Sequence, residues 1–267
     1  MVIDFASLVG KRDSNEDKHT IIKNIDGSDT SMCNINLYAV FDGHGGKFVS
    51  KFLSDYLFKF YMNNGLTYPL RRQEVNKAYE FFQNKLKTDY NENTQNTGST
   101  ALVVSHYLKG GSEFLNIANL GDCRCVICNN NIAIPLTKDH KPNKPEEEYR
   151  IKKLGGQIYY DGYDWRIGDL SVSRAFGDIS NEPYISFEPD LFEYTIGNRD
   201  KFLIIGCDGL WDAVDNQEAV DFILSNCYDM GTGKRKKNTH NKISKKLGEF
   251  AIEKGSTDNV SIIVVFF

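Results

Sequence analysis

Four short acidic clusters lie far apart along the chain: Asn15-Glu16-Asp17, Asp42-Gly43-His44-Gly45-Gly46, Asp208-Gly209-Leu210-Trp211-Asp212 and Thr257-Asp258-Asn259. Each stands at the end of an apolar run. Carboxylates delivered to one place from separate strand ends repel one another unless something cationic lies between them, and hard divalent ions such as Mg²⁺ or Mn²⁺ take oxygen ligands. The pattern therefore points to a binuclear metal enzyme.

The Asp-Gly pairs sharpen that reading. Gly43 and Gly209 lack a Cβ, so the chain can bend tightly and a main-chain carbonyl can come close to an ion. One isolated Asp-Gly pair would read as an ordinary turn. Here there are two, each directly after a strand-like run, Leu37 to Phe41 and Phe202 to Cys207. His44, beside the first pair, adds a ring that titrates near neutral pH.

These clusters need a scaffold that ends several strands at one place. Strand-like runs fall at about 17–24, 35–41, 99–107, 114–119, 124–128, 131–136, 191–196, 202–207 and 259–266, many joined by short Gly/Asn turns. Asn129-Asn130 reads as a hairpin turn between two of them. Such close spacing favours antiparallel pairing in a sheet-rich sandwich that carries helices. Helical periodicity occupies other segments. Phe48, Phe52, Tyr56 and Phe60 recur every four residues, and Ile243, Leu247, Phe250 and Ala251 follow an i, i+4, i+7, i+8 pattern that stops at Gly255. Both stripes are assigned to the core. Segments near 72–90, 145–154 and 216–226 read as further helices, and Asn91 to Thr97, polar and Asn-rich, as a loop.

Eight motifs then follow one another in order: Arg12-Asp-Ser-Asn-Glu-Asp17, Phe41-Asp-Gly-His-Gly-Gly46, Gly98-Ser-Thr-Ala101, Asn119-Leu-Gly-Asp-Cys-Arg124, Asp139-His-Lys-Pro142, Leu170-Ser-Val-Ser-Arg-Ala-Phe-Gly-Asp178, Cys207-Asp-Gly-Leu-Trp-Asp212 and Thr257-Asp-Asn259. In this order, over nearly the whole chain, they resemble the metal-dependent protein phosphatases of the PPM or type 2C kind. Departures are small. Lys18 follows Asn-Glu-Asp where a small residue is common, Cys123 replaces the usual Ser and Phe176 the usual Leu. None falls on a ligand position.

The resemblance implies an α+β fold, a four-layer α/β/β/α sandwich of two antiparallel sheets packed face to face with a helical layer on each outer side. It implies a single catalytic domain over 1–267 with a flap-like segment at about 141–190. The implied activity is hydrolysis of phosphoserine and phosphothreonine monoesters by a water bridging two Mg²⁺ or Mn²⁺ ions, which lower its pKa and clamp the phosphoryl group. By motif, Asp42 would bridge the ions, the Gly43 carbonyl would bind one, and Asp208 and Asp258 the other. Glu16 and Asp17 would act partly through ordered water. Asp122 and Asp212 would help hold a third, weaker ion, although Gly-Asp in a hairpin and Asp at a helix start are also common for structural reasons.

Arg12 stands where the family holds its phosphate-binding arginine, and a planar guanidinium donates two hydrogen bonds to phosphate at once. His44 would be the general acid that protonates the leaving alkoxide. Arg166, ahead of the Leu170 to Asp178 motif in the flap, would contact substrate, while His140 and Arg174 read as structural. Without the motifs, Arg12 would be a solvated surface charge and Asp258 a turn residue before the last strand.

Composition agrees with a globular enzyme: 267 residues, 40% hydrophobic and 12% aromatic, with no Pro/Gly/Ser-rich linker to divide them. A net charge of -4 argues against a nucleic-acid partner. The one strongly basic run, Lys234-Arg-Lys-Lys237, reads as a solvated loop, with nuclear import or docking as the second reading. No stretch is apolar for the roughly 18 residues of a membrane span, and the N-terminus, which begins almost directly on a strand-like run, lacks a secretory pattern. A longer parent protein with its own targeting segment stays open. The expected setting is a cytoplasmic or nuclear signalling phosphatase, monomeric, with phosphoprotein substrates. Six cysteines suit a reducing compartment. Cys125-Val-Ile-Cys128 has a spacing seen in zinc and redox sites, but no second pair or His partner follows at suitable spacing, so these are expected to be buried or half-buried strand thiols.

Two other classes share part of this pattern. A catalytically dead relative would serve as a scaffold, but would have lost carboxylates that this chain keeps. A two-metal nuclease could use the same ions on diesters, but would carry a basic channel, and no basic stripe interleaved with aromatics is seen.

Overall fold

The computed structural model describes residues 1–25, 32–63, 66–229, 231–236 and 239–267. Its strands, in chain order, are β1 (Val2–Leu8), β2 (Lys18–Ile25), β3 (Met32–Phe41), β4 (Gly43–His44), β5 (Gly98–Ser99), β6 (Ala101–Lys109), β7 (Ser112–Leu120), β8 (Arg124–Asn129), β9 (Ile132–Pro135), β10 (Tyr159–Tyr160), β11 (Trp165–Arg166), β12 (Phe176–Gly177), β13 (Asp190–Thr195), β14 (Asp200–Gly206) and β15 (Val260–Phe266). The helices are α1 (Phe48–Tyr61), α2 (Arg72–Asp89), α3 (Asn91–Thr94), α4 (Pro145–Lys153), α5 (Asp208–Trp211), α6 (Asn216–Cys227) and α7 (Ile243–Glu253).

Two antiparallel sheets, ordered β1-β15-β14-β8-β9 and β13-β7-β6-β3-β2, pack face to face. The alternation of side chains along each strand explains why the strands read as unbroken apolar runs: both faces are covered. In β15, Ile263 and Val265 point into the layer between the sheets, where they meet Tyr38, Val104, Ile117 and Ile205. Ile262, Val264 and Phe266 point outward onto α6 and α7, against Val220, Ile223 and Leu247. The other sheet repeats the pattern, with Leu37, Ala39 and Phe41 of β3 packing outward on Leu53 and Leu57 of α1 and Tyr79 of α2. The expected four layers are present.

Three local expectations change. The Asn turn lies one residue later, at Asn130-Asn131, where both residues have positive φ, +49° and +68°, as a tight hairpin joining β8 to β9 requires. Asn91–Thr94, expected as loop, forms the short helix α3, with the Thr94 hydroxyl turned back on the carbonyls of Leu86 and Tyr90. The buried stripe of α1 is Val49, Leu53, Leu57 and Tyr61, one position on from the expected one. Of the expected stripe only Phe52 is buried, while Tyr56 is exposed and Phe48 and Phe60 lie at the edge of the core. Lys237 of the basic run lies outside the described residues.

A third small sheet, β12-β5-β4, sits at one end of the sandwich and carries the loops around His44 and Asp178. Between β9 and β13 the chain forms α4 and the β10-β11 hairpin around a core of its own, Ile151, Ile167, Val172, Ala175 and Ile185, while Phe176 of β12 packs with the residues under α1 and α2.

Candidate active site

Antiparallel register brings the acidic clusters to one end of the sandwich. Lys18 pairs with Phe41, Leu8 with Val260, Ala101 with Leu120, and Gly206 with both Arg124 and Ile262. The residues just beyond these pairs, Asp17, Asp42, Asp122, Asp208 and Asp258, therefore converge. One oxygen from each of Asp42, Asp122 and Asp208 lie within 4.8 Å of one another, and the Asp17, Asp42 and Cys207 ligand atoms do the same. A cleft of about 520 Å³ is lined by Asp42, Asp122, Asp208 and Asp258 together with Arg12, Glu16, Gly43, His44 and Arg166. Asp17 is buried behind Asp42, outside the lining. Asp212 faces a smaller recess of about 240 Å³ that shares Asp208 and Asp258 with the cleft.

Neighbouring groups hold these side chains in place. The Asp42 N–H donates to the Thr100 hydroxyl at 3.1 Å and the Thr100 N–H donates to the Asp42 carbonyl at 2.9 Å. Asn259 ties the N-terminal loop to the last strand: its Oδ1 accepts from Glu16 N–H at 2.8 Å, and its Nδ2 donates to the Val9 and Ser14 carbonyls. Glu16 Oε2 accepts from Gly46 N–H at 3.0 Å. Arg12 Nη2 donates to Asp258 Oδ2 at 2.6 Å in an exposed pair. Arg166 is paired with Asp161 and donates from Nη1 to the Asp169 carbonyl at 2.7 Å. His140 and Arg174, read as structural, are taken up by the Gly121 N–H and by Glu147 and Asp190.

The electrostatics are those of crowded carboxylates. Burial, then the charges of Asp208, Asp17 and Asp122, push the Asp42 carboxyl well above its ordinary range. Burial and Asp122 do the same to Asp208. Asp17 is pushed up to about 6, mainly by burial. Lys141 supplies one counter-charge, with Nζ 2.6 Å from Asp122 Oδ2 and 3.7 Å from Asp164 Oδ2. Burial opposes its charge, but Asp122 and Asp208 outweigh that and hold the ammonium. His44 Nε2 lies 2.7 Å from Asp178 Oδ2. Burial works against the charged ring, and the bond and charge of Asp178 override it, raising the His44 pKa.

A hard metal ion fits this donor set. The oxygens of Asp42, Asp122 and Asp208 converge, and the buried Asp17 Oδ2 has no hydrogen-bond partner among the described residues. The Cys207 thiol beside them donates to the Asn259 carbonyl at 3.4 Å and accepts from Ser261 N–H at 3.1 Å, and a hard ion prefers the carboxylate oxygens to sulfur. Cys123, Cys125 and Cys128 are buried free thiols, and among the described residues none joins a metal-ligating group.

Four residues of this site carry no role in the sequence reading: Thr100, Lys141, Asp178 and Asn259. Each lies inside one of the motifs; Thr100 and Asn259 stand directly before apolar runs and Asp178 directly after a glycine, while Lys141, among polar residues and prolines, gives no such signal.

The chain matches the family model described as protein phosphatase 2C over residues 1–260. It is 36% identical over 267 residues to probable protein phosphatase 2C 45 of Oryza sativa subsp. japonica, covering 98% of this chain and 86% of that protein. A PP2C-like domain-containing protein of Acanthamoeba polyphaga mimivirus is 46% identical over 170 residues, covering 58% of this chain and 95% of the viral protein. The solved serine-threonine phosphatase 2C from Toxoplasma gondii shares the fold, with a TM-score of 0.74 over 99% of this chain and 94% of that one at 24% identity.

Proposed function

This chain belongs to the protein phosphatase 2C family, and from that premise we propose that this protein phosphatase hydrolyses phosphoserine and phosphothreonine monoesters, acting as one catalytic domain with residues 141–190 as a flap beside the cleft. The observation that carries the reading is the convergence of Asp42, Asp122 and Asp208 in a cleft that also presents Arg12 and His44.

Asp42, the Gly43 carbonyl, Asp208 and Asp258 would hold two Mg²⁺ or Mn²⁺ ions, with Glu16 and Asp17 acting partly through water and Asp122 and Asp212 helping to hold a third, weaker ion. Bound there, the ions would lower the pKa of a water between them and offset the phosphoryl charge. The protein's own part is to bind and to move a proton. Arg12, exposed and paired among the described residues with Asp258, can turn its guanidinium onto phosphate oxygens, and Arg166 lines the cleft on the flap side. Attack at phosphorus breaks the bond to the serine or threonine oxygen, which leaves needing a proton. Asp178 occupies Nε2 of His44, so Nδ1 is the nitrogen left to deliver it. The free thiols suit a reducing setting, the cytoplasm or nucleus, where signalling phosphoproteins would be the substrates.

The test is a metal titration of the stripped protein on phosphoserine, phosphothreonine and phosphotyrosine peptides. Turnover of the first two should be absent in chelator and return with Mn²⁺ or Mg²⁺. Full activity in excess chelator, or none with any divalent ion, would sink the proposal. The second outcome would favour an inactive scaffold.

A further inference from the structure

A row of rings runs from α1 across to α2 and begins beside the catalytic loop. Phe48 meets Tyr90 at 5.3 Å between centroids, Tyr90 meets Phe52 at 5.5 Å, Phe52 meets Phe82 at 6.2 Å, and Phe82 meets Phe81 at 5.5 Å. Two hollows follow this row. The first, of about 660 Å³, starts at Gly45 and Gly46, next to His44, and reaches Phe52 and Tyr56. The second, of about 510 Å³, shares Phe52 and Tyr56 and ends at Phe81. Gly45 also lines the catalytic cleft, so cleft and groove adjoin at that residue. The far end is open to solvent, with Phe81 61% and Tyr56 42% exposed. Large apolar side chains left together at the surface mark interaction sites more often than chance exposure.

Charge narrows the occupant. On a chain of net charge -4, the groove is lined by Lys47, Lys51, Lys59, Lys77 and Lys85 against Asp55, Glu74 and Glu92. Lys51 is already paired with Asp55, and Lys85 with Asp89. Lys47 and Lys77 make no ion pair among the described residues, and Lys59 lies over the Tyr56 ring at 4.5 Å. An acidic ligand with apolar anchors complements such a surface. Length narrows it further, because α1 has 14 residues, about 21 Å, the reach of about six or seven extended residues.

We propose that this groove docks an acidic segment of the phosphoprotein substrate, carrying a Leu or Phe about six or seven residues from the phosphorylated side chain. Joined to the phosphosite, such a segment raises the local concentration of the phosphoryl group at the cleft and so lowers KM without touching the chemistry. The substrate role rests on the phosphatase reading above; the binding does not.

The test compares phosphothreonine peptides that share one core. One set carries Glu-Leu-Glu-Phe placed seven residues before or after the phosphothreonine, and the control carries Ser-Gly at the same place. Against the full chain, one of the acidic-apolar peptides should show KM lowered by about tenfold, and Phe81→Glu combined with Lys77→Glu should remove the gain while p-nitrophenyl phosphate turnover stays unchanged. Fluorescence anisotropy of the unphosphorylated tail in excess chelator should show binding that the same variant abolishes. Equal KM for every peptide with no anisotropy change would overturn the proposal. So would a variant-sensitive dimer, or variant-sensitive binding to phosphatidylserine vesicles in place of the peptide. Tail binding that persists when no phosphopeptide is turned over with any metal would leave the docking site standing and defeat the phosphatase reading instead.

Discussion

Nε2 of His44 and Oδ2 of Asp178 meet at 2.7 Å although 134 positions separate them. The central strand of the small sheet explains the meeting: His44 pairs with Gly98 on one edge of β5, and Gly177 pairs with Gly98 on the other. A Cβ on Gly98 would collide with both Asp178 Oδ2 and His44 Nε2. The glycine is what lets a carboxylate close over the strand onto the imidazole, and a carboxylate there favours the charged, proton-carrying ring.

A general acid matters in proportion to the leaving group's need for a proton. His44→Ala should slow hydrolysis of phosphoserine peptides or phenyl phosphate by ~10²-fold or more, and slow p-nitrophenyl phosphate far less, since p-nitrophenolate leaves without protonation. Asp178→Asn should show the same leaving-group signature, because Asn cannot hold the imidazolium. If either variant lost the same factor on every leaving group, the pair would be organising the site and not delivering a proton.

Arg12 and Asp258 form an exposed ion pair at 2.6 Å, and exposed pairs contribute little to stability. Arg12→Ala should therefore leave the melting temperature nearly unchanged while raising KM and the inhibition constant for free phosphate, by on the order of 1.5–3 kcal/mol if the lost bonds are desolvated in the complex. Unchanged values for both constants would return Arg12 to the solvated surface.

The layers of the sandwich were legible because strands covered on both faces leave unbroken apolar runs such as Phe202 to Cys207 and Val260 to Phe266. The α1 stripe was misread by one position because a four-residue repeat fits two adjacent faces of a 3.6-residue helix, and aromatic residues on the edge face imitate a core. The carboxylates were legible as types at strand ends. Their holders were not, since Asn259 bonds Glu16 across 243 positions and Lys141 meets Asp122 only through the return of the chain after β9. Such partners are set by register between distant strands, which local pattern does not encode.

Acid stability should expose the network that fastens the flap. Glu147 accepts from Ser173 at 2.7 Å and from Arg174 and Arg150, and Arg174 also reaches Asp190. Burial opposes its charge, but the arginines outweigh burial and bring the carboxyl down to about 2 from 4.5. Protons then bind the unfolded chain first as pH falls, so the stabilisation is whole above about 4.5 and is lost progressively as pH drops toward about 2. Glu147→Gln should lower stability at neutral pH by on the order of 2–3 kcal/mol and flatten the pH dependence across that window. Parallel denaturation curves for variant and wild type from pH 5 to pH 2 would contradict the assignment.

Stability and activity should move in opposite directions at Asp208. Its carboxylate lies in a cluster with half-buried Asp42 and buried Asp122, and without a bound cation the folded state bears the cost of desolvation and of that repulsion, relieved only in part by Lys141. Asp208→Asn removes one of the crowded charges and keeps the shape. In chelator the variant should melt higher than the wild type, at about 2–4 °C for each kcal/mol of repulsion removed in a domain of this size. Added Mn²⁺ should stabilise the wild type in proportion to ion concentration over its dissociation constant and stabilise the variant much less, so that the order of melting temperatures reverses in saturating metal. Phosphopeptide turnover by the variant should be almost absent in either condition. A variant that melts lower than the wild type in chelator would show that Asp208 supports the fold and is not a charge held ready for an ion.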